Sequence, residues 1–258
     1  MKSRVLGVIP ARLASSRLTR KPLHPLAGRT LVEWVWRRVV ATDLFAEVVI
    51  ATDSEEVASE ARRFGARIEL TSQDHPSGTD RIAEVARRPE YREYDSIVNI
   101  QGDEPFVSAS QLEPAVALTA DGWDVGTAAT PILDPEELHD PAAVKVVLGD
   151  DARALYFSRS VIPFIRDAEP GPADFAGGAF LRHLGFYAYR AEALQRWVRL
   201  APGRLERLEQ LEQLRPLAAG IRIGVAIVPP MERGVDTPAD AARVESRLRA
   251  ELLEVTND

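Results

Sequence analysis

The sequence predicts an α/β fold, a doubly wound and mostly parallel sheet with a smaller α+β subdomain in the second half of the chain. Three observations lead there. Short runs rich in valine and isoleucine at residues 4–10, 48–53 and 98–101 alternate with amphipathic segments of helical period, and right-handed crossovers turn such a pattern into a parallel sheet covered on both faces. From about residue 124 the pattern changes to short strands separated by proline-bearing turns at Pro131, Pro135 and Pro141. Hydrophobic residues make up 45% of the chain and charged residues 28%, the balance of a globular protein with a sizeable core.

A chain of 258 residues suits one large α/β unit or a core with an appendage. The pattern divides it into a core over 1–123, an insert over 124–220, and a return to the core with a C-terminal helix over 221–258. Cysteine is absent, which excludes disulfides, thiolate metal sites and cysteine nucleophiles. The apolar run near the N-terminus is too short for a signal peptide, and no run approaches the roughly 18 residues of a membrane span. A cytoplasmic protein without a membrane partner is expected. The net charge of −7 disfavours nucleic acid, which wants a basic face, yet local arginines can still grip an anionic small molecule.

Along the core, residues 4–10 form the first strand. Arg12, Arg17, Arg20 and Lys21 follow it with Ser15 and Ser16, either as a phosphate-gripping loop or as a solvated charge run. The loop lacks the terminal glycine-lysine-serine/threonine of a Walker A motif. Residues 30–42 should form the crossover helix, with Leu31, Trp34, Val35 and Val39 on one face. Asp53 ends the second strand and reads as a helix-start aspartate, with Ser54 as N-cap, or as a site residue. After a third strand at 67–70, Ser77-Gly78-Thr79 reads as a turn and cap, or as a loop reaching the same sheet edge. The fourth strand, 98–101, ends in Gly102-Asp103-Glu104-Pro105. Ligands bind at the C-terminal edge of open α/β sheets, so Asp103 is either a ligand for a hard cation such as Mg²⁺ or a cap of the next helix. Strand alternation points Glu104 the other way.

In the second half, residues 125–130, 144–148 and 154–158 read as strands, and 166–178 as a mobile loop rich in glycine and proline. Residues 183–189 form a further strand. Residues 206–217 read as a helix with leucines at three-residue intervals, on which Glu212 and Gln213 could simply face solvent. His183 alone reads as a structural histidine. A last strand at 223–228 leads to Val235-Asp236-Thr237-Pro238, where Asp236 or Thr237 can start the terminal helix.

Two aspartates after distant strands and a cationic loop after the first strand are what metal-assisted transfer at a phosphate needs. There is no glycine-flanked nucleophile serine. The chain resembles the 3-deoxy-D-manno-octulosonate (Kdo) cytidylyltransferase family over nearly its whole length. The matching segments are Ile9-Pro10-Ala11-Arg12, Ser16-Arg17-Leu18, Lys21-Pro22-Leu23, Ala51-Thr52-Asp53, Ser77-Gly78-Thr79-Asp80-Arg81 and Asn99 through Pro105. Ala143 through Val147, Tyr156-Phe157-Ser158-Arg159, Leu181 through Gly185, Leu211 through Arg215 and Gly234 through Pro238 follow in the same order.

The resemblance implies a nucleotidyltransferase-like, Rossmann-like core and a homodimer built through second-half strands. It implies that CTP and Kdo give CMP-Kdo and diphosphate with Mg²⁺ as cofactor, the anomeric hydroxyl attacking the α-phosphorus. Lys21, Asp103 and Asp236 would be catalytic, the two aspartates holding the metal. Pro10, Ala11, Arg12, Arg17, Lys21, Ser77, Gly78, Thr79 and Arg81 would bind the nucleotide. Gln101, Arg159, His183, Tyr187, Glu212 and Gln213 would line the sugar pocket. Thr19-Arg20 stand where the family usually has Pro-Gly, which puts the shape of the phosphate loop in question and leaves Arg20 facing either phosphate or solvent.

Overall fold

The computed structural model describes residues 4–13 and 17–255, so Ser15 and Ser16 lie outside the described residues. The chain divides into two compact units. Lys2–Tyr94, Asn99–Ala109 and Met231–Asp258 form the first, and Asp95–Val98 with Ser110–Pro230 form the second.

In the first unit, β1 (Val5–Ala11) is buried along all but one of its positions, as its apolar run requires. After a hairpin of β2 (Pro25–Leu26) and β3 (Arg29–Thr30), helix α1 (Leu31–Val40) buries Leu31, Val32, Trp34, Val35 and Val39, the face expected from the sequence with Val32 added. Strand β4 (Glu47–Thr52), helix α2 (Glu55–Arg63) and strand β5 (Arg67–Leu70) continue the alternation, and β1, β4 and β5 pair in parallel, Ala11 opposite Thr52 and Thr52 opposite Leu70. Ser54 caps α2 by accepting the Val57 amide, one of the orphan donors of a helix start. Helix α3 (Gly78–Ala86) follows.

In the second unit come β6 (Ser96–Asn99), whose last residue belongs to the first unit, then α4 (Ala109–Ala120), β7 (Val125–Pro131), α5 (Pro135–His139), β8 (Lys145–Leu148) and β9 (Ala154–Ser158). They are followed by α6 (Pro172–Ala176), β10 (Leu181–Arg190), α7 (Ala191–Trp197), α8 (Arg204–Glu209), α9 (Leu214–Ala218) and β11 (Ile223–Ile227). Here β10 runs antiparallel to β7 and β8, β8 antiparallel to β9, and β11 parallel to β7. The chain then returns to the first unit as α10 (Pro238–Val255). Val235, Ala241, Val244 and Leu248 pack there with Leu18, Leu26, Leu31 and Trp34, and burying each large apolar side chain contributes about 1.5–3 kcal/mol.

Three expectations change. The fourth strand stops at Asn99 rather than Gln101, so strand alternation says nothing about Glu104. The single helix over 206–217 is two, because Gln210 takes a left-handed conformation at φ 53° and ends α8; Leu211 and Leu214 are buried while Leu205 and Leu208 are exposed. The 166–178 segment carries α6, anchored by Phe175 in a cluster with Ile132, Leu138 and Phe180.

Candidate active site

Three chain segments of the first unit converge on Lys21. The segment after β1 ends in Arg20, whose φ of 55° and ψ of 38° are left-handed, and a 3-10 turn then starts at Lys21. That is the conformation glycine takes at least cost, and Arg20 adopts it here. Its guanidinium pairs with Glu56, so the extra cation is spent on α2.

The second segment leaves β6. The Ile100 amide donates to the Val8 carbonyl at 3.0 Å, and a side chain at Gly102 would lie 2.8 Å from the Pro10 carbonyl oxygen, so only glycine lets the turn pass β1 this closely. Asp103 follows, and its carboxylate accepts from the Lys21 ammonium.

The third segment precedes α10. The Val235 amide donates to the Asp103 carbonyl at 2.9 Å. A Cβ on Gly234 would sit 2.5 Å from that same oxygen and 2.9 Å from Glu104 Cδ. Thr237 accepts the Asp240 amide at 3.2 Å while Asp240 accepts the Thr237 amide at 2.9 Å. Thr237, not Asp236, therefore caps the helix. The Asp236 carboxylate is left to accept from Lys21 Nζ at 2.8 Å and to pair with Arg17 at 3.1 Å.

Burial works against the charge on Lys21, but Asp103 first and Asp236 second outweigh it and hold the ammonium above its ordinary pKa. Lys21 is thus a permanent cation. Two carboxylates gathered at one point are a hard oxygen donor set, which suits a cation such as Mg²⁺ that completes its shell with substrate oxygens and water. Among the described residues no three His, Cys, Asp or Glu side chains form a metal cage.

Beside this cluster, Pro10 and Ala11 close β1 and the half-buried Arg12 follows. The Ser77-Gly78-Thr79 turn starts α3, with Ser77 accepting the Asp80 amide at 3.2 Å. A Cβ on Gly78 would lie 3.5 Å from Pro10 Cγ, so the turn stands close to the end of β1. Arg81, two residues further along α3, is fully buried. It donates to Asp53 at 2.7 Å and to Thr71, partners that sequence reading did not connect. Gln101 is half-buried in the turn after β6 and its carbonyl accepts from the Glu104 amide at 3.3 Å.

The remaining sugar-side candidates lie in the second unit. Arg159 donates to the carbonyls of Glu209 at 2.7 Å, Pro141 at 2.9 Å and Gln210 at 3.3 Å. Glu209, which sequence reading missed, accepts from Ser158 Oγ at 2.6 Å and the Arg159 amide at 2.9 Å. Although burial opposes its charge, those bonds hold its carboxyl below the usual range. No sequence signal separates it from the other glutamates of 206–217.

His183 is buried, 2.9 Å through Nε2 from Thr127 Oγ1. The same threonine oxygen lies 2.7 Å from the Phe186 carbonyl and 3.2 Å from that of Leu184, so the hydroxyl ties the ring to the backbone of its own strand. Burial, with Arg182 adding to it, pushes the imidazole down to about 3, and the ring stays neutral. Tyr187 packs on His183, Tyr189 and Trp197; burial, then Tyr189 and Glu212, push its phenol well above the ordinary range. Gln213 is buried and Glu212 half-buried, just before α9.

A parallel α/β core with a cation and two carboxylates beyond the ends of its strands is the construction of a nucleotidyltransferase. The Cytidylyltransferase family model matches residues 6–223. The chain is 49% identical over 243 residues to a 3-deoxy-manno-octulosonate cytidylyltransferase of Gemmatimonas aurantiaca, covering 94% of this chain and 93% of that one. It is 47% identical over 243 residues to that of Syntrophobacter fumaroxidans, covering 93% and 95%. The solved structure of CMP:2-keto-3-deoxy-manno-octonic acid synthetase complexed with CTP superposes with a TM-score of 0.88 at 38% identity, over 96% of this chain and 100% of that one. A 4-diphosphocytidyl-2C-methyl-D-erythritol synthase of Anaerococcus prevotii, at TM-score 0.60 and 13% identity, shares the fold. The chain belongs to the cytidylyltransferase family, and within it to the 3-deoxy-manno-octulosonate cytidylyltransferases.

Proposed function

We propose that the chain joins CTP to Kdo, forming CMP-Kdo and diphosphate as a step toward lipopolysaccharide. The bond from the anomeric oxygen to the α-phosphorus forms, the bond from the α-phosphorus to the bridging oxygen breaks, and the hydroxyl proton leaves. The observation that carries this reading is Lys21 held between Asp103 and Asp236, in the unit that also holds the Ser77 turn.

Arg12, Arg17 and Lys21 neutralise the triphosphate and steady the diphosphate leaving group, so positioning and charge supply the rate. Pro10, Ala11, Ser77, Gly78 and Thr79 face the cytidine. Asp103 and Asp236 are the residues that would hold Mg²⁺. Neutralising phosphate charge and acidifying the attacking hydroxyl are the chemistry this ion supplies when bound. Gln101, Arg159, His183, Tyr187, Glu212 and Gln213 read the sugar; the neutral His183 and the amide of Gln213 suit its hydroxyls. The same reading includes the division at 123/124 and 220/221, a homodimer through the second-half strands, and a cytoplasmic site of action. No described helix is long and apolar enough to cross a membrane.

A panel of 2-keto sugars tests the substrate. Diphosphate release from CTP is expected to be fastest with Kdo. Release with a sialic-acid-like or amino-substituted relative but none with Kdo would overturn the assignment.

A further inference from the structure

We infer that Arg81 and Asp53 form a positioning pair that sets the Ser77-Gly78-Thr79 turn for cytosine recognition, and that Arg81 itself does not touch the nucleotide. The Arg81 side chain is fully buried. One terminal nitrogen donates to Asp53 at 2.7 Å and the other to Thr71. Asp53 directly follows β4, and Thr71 directly follows β5 with its amide donating to the Thr52 carbonyl at 2.9 Å. Arg81 sits in the opening turns of α3, three residues after Gly78. One guanidinium therefore ties the start of α3 to the ends of two adjacent parallel strands. A planar fork fixes direction as well as distance, which a hydrophobic contact at the same place would not.

The loop between β5 and α3 is braced from the helix as well. Glu84 accepts the Ser72 amide at 3.0 Å and meets His75 Nε2 at 2.5 Å. The turn is thus held on both sides, and within it the Ser77 hydroxyl donates to Asp80 at 2.7 Å and accepts the Asp80 amide at 3.2 Å. Asp53 is then neither a bare helix-start residue nor a ligand contact. It acts on the base through Arg81 and α3.

This rests on the reading of Ser77, Gly78 and Thr79 as the cytidine side, and the test separates the two claims. Asp53→Asn, Arg81→Lys and Thr71→Val are made in the full chain. CTP affinity is measured by calorimetry without sugar, and turnover with CTP against UTP. Asp53→Asn and Arg81→Lys are expected to weaken CTP binding about tenfold, the worth of one charge-assisted hydrogen bond. The loss should fall on KM for CTP more than on kcat, with a reduced preference for CTP over UTP; Thr71→Val should shift both in the same direction by less. A merely structural pair would lower thermal stability and leave the CTP-to-UTP ratio alone, which overturns the proposal. So does native CTP affinity in Asp53→Asn alongside lost affinity in Arg81→Lys, because Arg81 would then touch the nucleotide. If Arg81→Lys does not fold, Asp53→Asn, whose carboxylate is partly exposed, decides alone: CTP affinity and a CTP-to-UTP ratio at wild-type values overturn the proposal. Absent turnover in the wild type would refute the proposed reaction, while CTP affinity would still decide the pair.

Discussion

Two side-chain clusters, one in each unit, satisfy their polar groups in opposite ways. In the first, charge meets charge where solvent reaches: Lys21 lies between Asp103 and Asp236, and Arg17 also reaches Asp236, whose side chain is 48% exposed. In the second, charge meets backbone: Arg159 is spent on the carbonyls of Pro141, Glu209 and Gln210, and burial keeps His183, beside Thr127, neutral. Partly exposed ion pairs are weak, typically about 0–1 kcal/mol, so such partners are exchanged for a ligand's phosphates at little cost. A backbone-satisfied network exchanges nothing, and it fixes a shape. The first arrangement suits a polyanion that arrives and departs, the second a ligand of fixed shape read by preset groups.

The comparison breaks first at Gly234. A Cβ there meets the Asp103 carbonyl oxygen at 2.5 Å, the oxygen that accepts the Val235 amide, so Gly234→Ala must separate the two aspartate-bearing turns. Displacements of this size cost about 10²-fold in rate, and overpacking costs about 1–3 kcal/mol of stability. Diphosphate release and urea unfolding should show both losses; wild-type turnover would mean that the turns need no close approach.

The second unit yields a smaller effect, readable by pH. His183 has its pKa lowered from 6.5 to about 3. Above pH 6.5 the ring is neutral in both folded and unfolded chains. As pH falls below that, the unfolded state takes up the proton and the folded state does not, so stability drops across the window down to about pH 3, by up to about 1.4 kcal/mol per pH unit. Replacing His183 with glutamine should flatten this dependence between pH 6.5 and 5 in denaturant titrations. Equal slopes in the two proteins would show that the imidazole protonates readily in the fold.

Much of the first unit was legible because its signals are local. Asp103, Asp236 and Lys21 each stand beside a strand end or a helix start, and Ser54 caps α2 as its place in the sequence indicates. The Asp53–Arg81 pair was not legible, since it spans 28 residues and each member has an ordinary local role. The break at Gln210 was hidden because the left-handed residue is not glycine and the leucines imitate a helical stripe across it. Arg20 shows the reverse case: the departure from glycine was visible, but its pairing with Glu56 depends on where α2 lies.

The central claim is that Asp103 and Asp236, gathered by Lys21, serve the phosphates of the nucleotide. Diphosphate release from CTP and Kdo with Mg²⁺ by Asp103→Asn measures it most directly. A loss of at least about 10²-fold in kcat is predicted, the scale of removing one electrostatic stabiliser of a developing charge, and release at the wild-type rate would contradict it.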